Sequence, residues 1–108
     1  MNALEKLLLK LIELAKTLGL SEFDVNNATE YLINHEYGLS YDTIITQMYE
    51  YDLEINNEIY ILISQIGKKM KLPDSDYLYM SELIRNNSNI PKPLKEEIAK
   101  IIATHEDH

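Results

Sequence analysis

Residues 36–54 read EYGLSYDTIITQMYEYDLE, and the secondary structure of this stretch decides the fold class. Its Ile, Thr and Tyr content makes a strand the competing reading, because β-branched and aromatic residues are mediocre helix formers. The spacing separates the two. Tyr41, Ile44, Ile45 and Met48 fall at i, i+3, i+4 and i+7, which lines one face of a helix and breaks the alternation a half-buried strand needs. The stretch therefore predicts a helix over about 41–50, capped by Ser40 or Asp42. Tyr41, Ile44, Ile45 and Met48 face inward, while Thr43, Thr46, Gln47 and Glu50 face outward. Such a helix depends on packing rather than on propensity.

The chain on either side repeats the pattern. Residues 2–18 place Leu4, Leu7, Leu8, Leu11, Leu14, Ala15 and Leu18 on one apolar stripe. Gly19 suits a left-handed C-cap, with Leu20 folding back on the last turn. Ser21 and Asp24 form a capping box for a second helix reaching about residue 36, with Phe23, Ala28, Tyr31, Leu32 and His35 inward and Gly38 closing it. After a linker at 52–55, Asn56 caps a fourth helix carrying Ile59, Leu62, Ile63, Ile66 and Met70, ended by Pro73. Tyr60 and Ile61 fall off that stripe, so this helix reads as apolar around most of its circumference and central. Asp74 or Ser75 opens a fifth over 76–85, with Tyr77, Met80, Leu83 and Ile84 inward. Residues 86–89 read as a loop. Pro93 begins a last helix over 94–104, with Leu94, Ile98, Ile101 and Ile102 inward. The expectation is an all-α fold: a single domain, 1–108, built as a compact bundle of five to six short antiparallel helices, with a frayed tail at 103–108.

Composition narrows the chemistry. The absence of Cys excludes disulfides, thiolate nucleophiles and Cys-ligated zinc, and suits a reducing cytoplasm. The N-terminal stretch, with Glu5 and Glu13 among its leucines, reads as an amphipathic helix and not a signal peptide. The longest unbroken apolar run, 59–63, falls far short of the roughly 20 residues that span a bilayer. His105 and His108 share a terminal tetrapeptide with nothing to hold it, and His35 stands alone beside Glu36, so no metal site is expected. Asp74 and Asp76 mimic the start of a calcium loop, but the central Gly is missing and the twelfth position is Arg85. With only three glycines there is no phosphate-binding loop. No catalytic residue and no cofactor are expected, and the protein reads as a non-enzyme.

The charge distribution is the anomaly. No Lys or Arg occurs between Lys16 and Lys68, while Glu22, Asp24, Glu30, Glu36, Asp42, Glu50, Asp52, Glu54 and Glu58 lie in that interval. This segment accounts for the whole net charge of −8. Eight tyrosines against one Phe and no Trp is the second. Tyr31, Tyr41 and Tyr77 fall on core stripes. Tyr37, Tyr49, Tyr51 and Tyr60 fit either boundary packing or a contact surface of large, rigid anchors among acids. Carboxylates repel phosphates, so direct nucleic-acid binding and anionic membrane are disfavoured. A basic protein remains as the partner, steered by complementary potential.

Three blocks carry a resemblance: His35-Glu36-Tyr37-Gly38-Leu39, Tyr49-Glu50-Tyr51-Asp52, and Gly67-Lys68-Lys69-Met70-Lys71-Leu72. With them the segment 28–72, a little under half of the chain, resembles the MafI-like immunity proteins of bacterial polymorphic toxin systems, related in role to the antitoxins of contact-dependent growth inhibition. The resemblance implies a cytoplasmic, non-enzymatic inhibitor that binds a cognate toxin C-terminal domain, a basic nuclease such as an RNase, and blocks its cleft. Carried onto this sequence, the partner-binding residues are Glu36, Tyr37, Asp42, Tyr49, Glu50, Asp52 and Glu54. Tyr51 and Asp52 have a structural alternative, namely capping the turn that follows. Two other functions stay open: an acidic nucleic-acid mimic, and a general or self-associating helical interaction module. The oligomeric state stays open as well.

Overall fold

Helix punctuation written in the sequence sets most element boundaries. The computed structural model describes residues 1–85 and 98–103. They form α1 (Ala3–Thr17), α2 (Glu22–Ile33), α3 (Tyr37–Glu50) and α4 (Asn57–Lys69), then two 3-10 segments, Asp74–Asp76 and Leu78–Leu83. Residues 98–103 are helical. No strand forms among the described residues; Ile55 and Ile84 meet only as an isolated parallel bridge. The chain is all-α, and residues 36–54 resolve as a helix and its exit. The chain divides into two compact units, Met1–Leu53 and Glu54–His108.

In the first unit Asn2 closes a reciprocal capping box. Its side chain accepts the Glu5 N–H at 2.8 Å, and the Glu5 carboxylate accepts the Asn2 N–H at 3.5 Å. Leu7, Leu8, Leu11, Ile12, Leu14 and Ala15 are buried along α1. On α2 the buried set is Asp24, Val25, Ala28 and Leu32, which corrects the expectation for Phe23: it is 73% exposed. Val25, Ala28 and Leu32 keep the i, i+3, i+7 spacing, and Phe23 lies most of half a turn from Ala28. Asp24 tolerates burial because the Ser21 hydroxyl donates to it at 2.8 Å at the positive end of the helix. The core residues of α3 are those expected, Tyr41, Ile44, Ile45 and Met48, joined by Ser40. Ser40 does not cap this helix, and neither does Asp42, since α3 already begins at Tyr37. The buried Ser40 hydroxyl donates to the Ala28 carbonyl at 2.8 Å, so a small side chain lets α2 and α3 approach while its polar group is satisfied.

Helices α1 to α4 end in the same way. The residue after the C-cap enters the left-handed region and its N–H, with that of the next residue, folds back on the last turn. In α1 the residue is Gly19 (φ 111°), with Leu20 N–H on the Ala15 carbonyl at 2.9 Å. In α2 it is His35 (φ 61°), with Glu36 N–H on Tyr31 at 2.8 Å. In α3 it is Asp52 (φ 52°), with Leu53 N–H on Met48 at 3.0 Å, and in α4 Lys71 (φ 58°), with Leu72 N–H on Gly67 at 3.0 Å. Three expectations are corrected here. His35 is exposed outside α2 and ends it, Gly38 lies inside α3, and α4 ends at Lys69, closed by Lys71, before Pro73 is reached. A left-handed non-Gly residue costs about 1 kcal/mol or more. Lys71→Gly is therefore expected to raise stability by about 1 kcal/mol, seen as a higher urea midpoint at unchanged m-value.

In the second unit Asn56 caps α4 by accepting the Ile59 N–H at 2.9 Å. Ile59, Leu62, Ile63, Ile66 and Gly67 are buried. Ile61 is 43% exposed, so α4 is ordinarily amphipathic and not apolar all round. The expected helix over 76–85 is replaced by the two 3-10 segments. Tyr77, at φ −141°, breaks them, and the buried Tyr77, Met80 and Leu83 follow a spacing of three, the 3-10 period. The end is held by Ile55 N–H on the Leu83 carbonyl at 3.0 Å and Arg85 N–H on the Ile55 carbonyl at 3.3 Å. Ile98 is buried. The expectations for 86–97, including the loop, Pro93 and Leu94, and for 104–108, with His105 and His108, lie outside the described residues.

Burial raises the Tyr77 phenol above its ordinary value of 10.0, and its bond to Asp74 Oδ1 at 3.0 Å adds to this. The folded state holds that proton more tightly than the unfolded chain, so the stabilisation is complete below pH 10 and is lost as pH rises beyond it. Tyr77→Phe is expected to flatten the alkaline limb of a stability-versus-pH curve measured by urea unfolding.

Candidate functional site

α3 separates its polar and apolar residues sharply. Opposite the buried stripe it exposes Leu39, Asp42, Tyr49 and Glu50. Asp42 and Tyr49 are seven residues apart and therefore stacked two turns along one flank, with Thr46 between them donating to Asp42 Oδ1 at 3.4 Å. Glu50 and Leu39 lie further round, on the outermost strip. Three of the seven residues carried over from the resemblance, Asp42, Tyr49 and Glu50, thus share the exposed side of one helix that spans about 20 Å. Leu39 was missed by the sequence reading; it is 49% exposed, and its place off the apolar stripe was the available signal.

Glu36 and Tyr37 stand at the start of this helix and behave differently. Glu36 is exposed and sits at the N-cap position without making a side-chain cap bond. Tyr37 is half-buried and turns toward the beginning of α1. Burial, and a hydrogen bond from its hydroxyl to the Glu5 carboxylate, raise its phenol above the ordinary value, while the Asn2 side chain opposes this. The His35 Nδ1 lies 3.0 Å from the same hydroxyl, with the rings edge to face at 5.9 Å. Tyr37 ties the entry of α3 to the capping box of α1, and this contact with its own fold accounts for its placement.

Asp52 and Tyr51 stand at the other end. Both are exposed, Tyr51 by 59%, and Asp52 is the left-handed residue that closes α3, so the capping role foreseen for this pair is present in the backbone. Asp is among the residues that adopt this conformation at least cost. Glu54 is half-buried and belongs to the second unit.

The electrostatics of the first unit are one-sided. Glu22, Glu30, Glu36, Asp42, Glu50 and Asp52 are all exposed, and the cations of this unit, Lys6, Lys10 and Lys16, are confined to α1. Lys10 pairs with Glu13 at 3.6 Å, an i, i+3 contact within that helix. Among the described residues no group of three or more His, Asp or Glu is arranged to hold a metal ion, and no helix is long and apolar enough to cross a membrane. No family model, no curated protein and no solved structure matches the chain.

Proposed function

We propose that the protein is an immunity protein: a non-enzymatic antitoxin that binds a cognate toxin domain, a basic nuclease, through the acidic, tyrosine-bearing side of α3. The observation that carries this reading is the exposed row Asp42, Tyr49 and Glu50 on α3, within 51 consecutive residues that contain no Lys or Arg. Carboxylates concentrated there raise the encounter rate with a cationic cleft, and a half-exposed phenol supplies contact area with a hydrogen-bonding tip. The resemblance of segment 28–72 to MafI-like immunity proteins supplies the class of partner. The nucleic-acid mimic is weaker: phosphate mimicry needs acids along an extended face, and several of these acids stand instead at helix ends, Glu36 before α3 and Asp52 after it.

The test is to search the adjacent reading frames for a large protein with a basic C-terminal domain and to co-express that domain with this chain. Protection of the cells, a complex of one copy of each chain, and an association rate that falls with added salt are the expected results. Glu22→Gln, an exposed acid on α2 outside the α3 row, is expected to slow association with little change in dissociation. Binding spread evenly over unrelated DNA-binding proteins would replace this reading with the mimic.

A further inference from the structure

α2 carries a second stripe that stays at the surface. Phe23, the chain's single phenylalanine, is 73% exposed and Ile33 is 70% exposed. Asn26 and Glu30, also exposed, lie between them. The four residues are spaced by three, four and three, the spacing of a seam that packs along another helix. They run about 15 Å down one side of α2, outside the buried set of Val25, Ala28 and Leu32. The helix is thus amphipathic twice. One stripe fills the core, and the other ends in two large apolar groups with an amide and a carboxylate at its centre.

We propose that this outer stripe of α2 docks an amphipathic, cation-bearing helix of another protein, with Phe23 and Ile33 as its apolar anchors and Glu30 as the partner of a central Lys or Arg. Charge decides the occupant. The stripe's charged member is a carboxylate, the first unit has no cation between Thr17 and Leu53, and five further exposed acids surround α2 and α3. A cationic helix gains Coulomb attraction along this surface, and a pairing of Glu30 beside apolar contacts is partly shielded from solvent, where it counts for more than at an open surface. A second copy would set two such acidic surfaces against each other, and like charges facing across the seam oppose that pairing. Asn26 adds register, since an amide within an apolar seam favours the alignment that gives it a partner. The inference concerns α2 and does not depend on the toxin reading of α3.

The test uses a fluorescein-labelled alanine-based peptide of about eighteen residues, long enough to form a helix, with Leu at i, i+3, i+7 and i+10 and Lys beside that stripe. Two controls accompany it: the same composition scrambled to remove the stripe, and the same stripe with Glu in place of Lys. Anisotropy titration is expected to show binding of the first peptide, with both controls weaker by about tenfold or more. Phe23→Ser combined with Ile33→Ser is expected to weaken binding by about tenfold or more at unchanged melting temperature, because neither side chain is in the core. Glu30→Gln is expected to weaken binding and reduce its salt dependence, while Glu50→Lys with Asp52→Lys leaves the α2 site competent. Absence of binding, equal binding of all three peptides, or indifference to the double serine variant would overturn the proposal. So would a dimer of the protein alone that the double serine variant dissociates.

Discussion

Under the proposed function, Glu50→Lys combined with Asp52→Lys is expected to abolish capture of a basic partner and to leave the fold intact. Both side chains are exposed, so neither change disturbs the core. Glu50 is the last residue of α3, where a cation suits the negative end of the helix dipole better than the carboxylate it replaces. Asp52 is left-handed, but a lysine already occupies the equivalent position after α4, at Lys71 (φ 58°), so the backbone accepts the substitution. The loss in binding is large because reversal replaces attraction with repulsion. Removing one paired interfacial carboxylate costs on the order of 2 kcal/mol. Reversing two costs about 4 kcal/mol or more, roughly a thousandfold in affinity. Calorimetric titration against the toxin domain gives the affinity, and circular dichroism melting checks the fold. Undiminished neutralisation by a well-folded double variant would assign binding to a different surface.

Met48→Ala destabilises the protein by about 2–5 kcal/mol, the cost of deleting a buried long side chain and leaving a cavity. Met48 has no exposed surface. It sits on the inward face of α3 next to Tyr49, and its carbonyl accepts the Leu53 N–H that closes the helix. The substitution therefore weakens the support of the acidic side without touching it. Protection is expected to fail at growth temperature through unfolding and to return on cooling, in contrast with the charge-reversed variant, which fails at every temperature. Met48→Leu, which nearly preserves volume, is expected to cost under about 1.5 kcal/mol. Urea unfolding of both variants measures the difference.

The local devices were legible in the sequence because each depends on residues within one turn of one another. The Asn56 cap, the Ser21 and Asp24 pair, and the Gly19 terminus needed only the side-chain oxygen or the missing Cβ that the backbone requires there. The core face of α3 was legible for the same reason: a stripe is a property of spacing. The end of α2 was not. Gly38 is the better left-handed residue by intrinsic preference, yet His35 takes that conformation, because α3 begins at Tyr37 to bring Tyr37 against α1 and Ser40 against Ala28. Phe23 misled the reading by its size. The fit of Val25, Ala28 and Leu32 around the core outweighed the larger apolar area of a ring that could not share their face. In the second unit the spacing of Tyr77, Met80 and Leu83 suits an α-helix nearly as well as a 3-10 helix, and the bonds between Ile55 and the Leu83–Arg85 backbone decide it.

The candidate surface divides along the same line. The acids and their separation from cations belong to composition and order, so the sequence alone establishes that residues 17–67 form an anionic tract and that its central helix has an apolar inner face. Which tyrosines reach the surface and which are struts depends on neighbours far away in the chain. Tyr41 is buried by packing, Tyr37 is engaged by Asn2 and Glu5, and Tyr49 is left at the surface. The physical reason is range. Helix period, capping and charge act between residues close in sequence, whereas the choice between two faces of a helix, or between two ends for it, is made by the free energy of burying one of them against residues that only folding brings near.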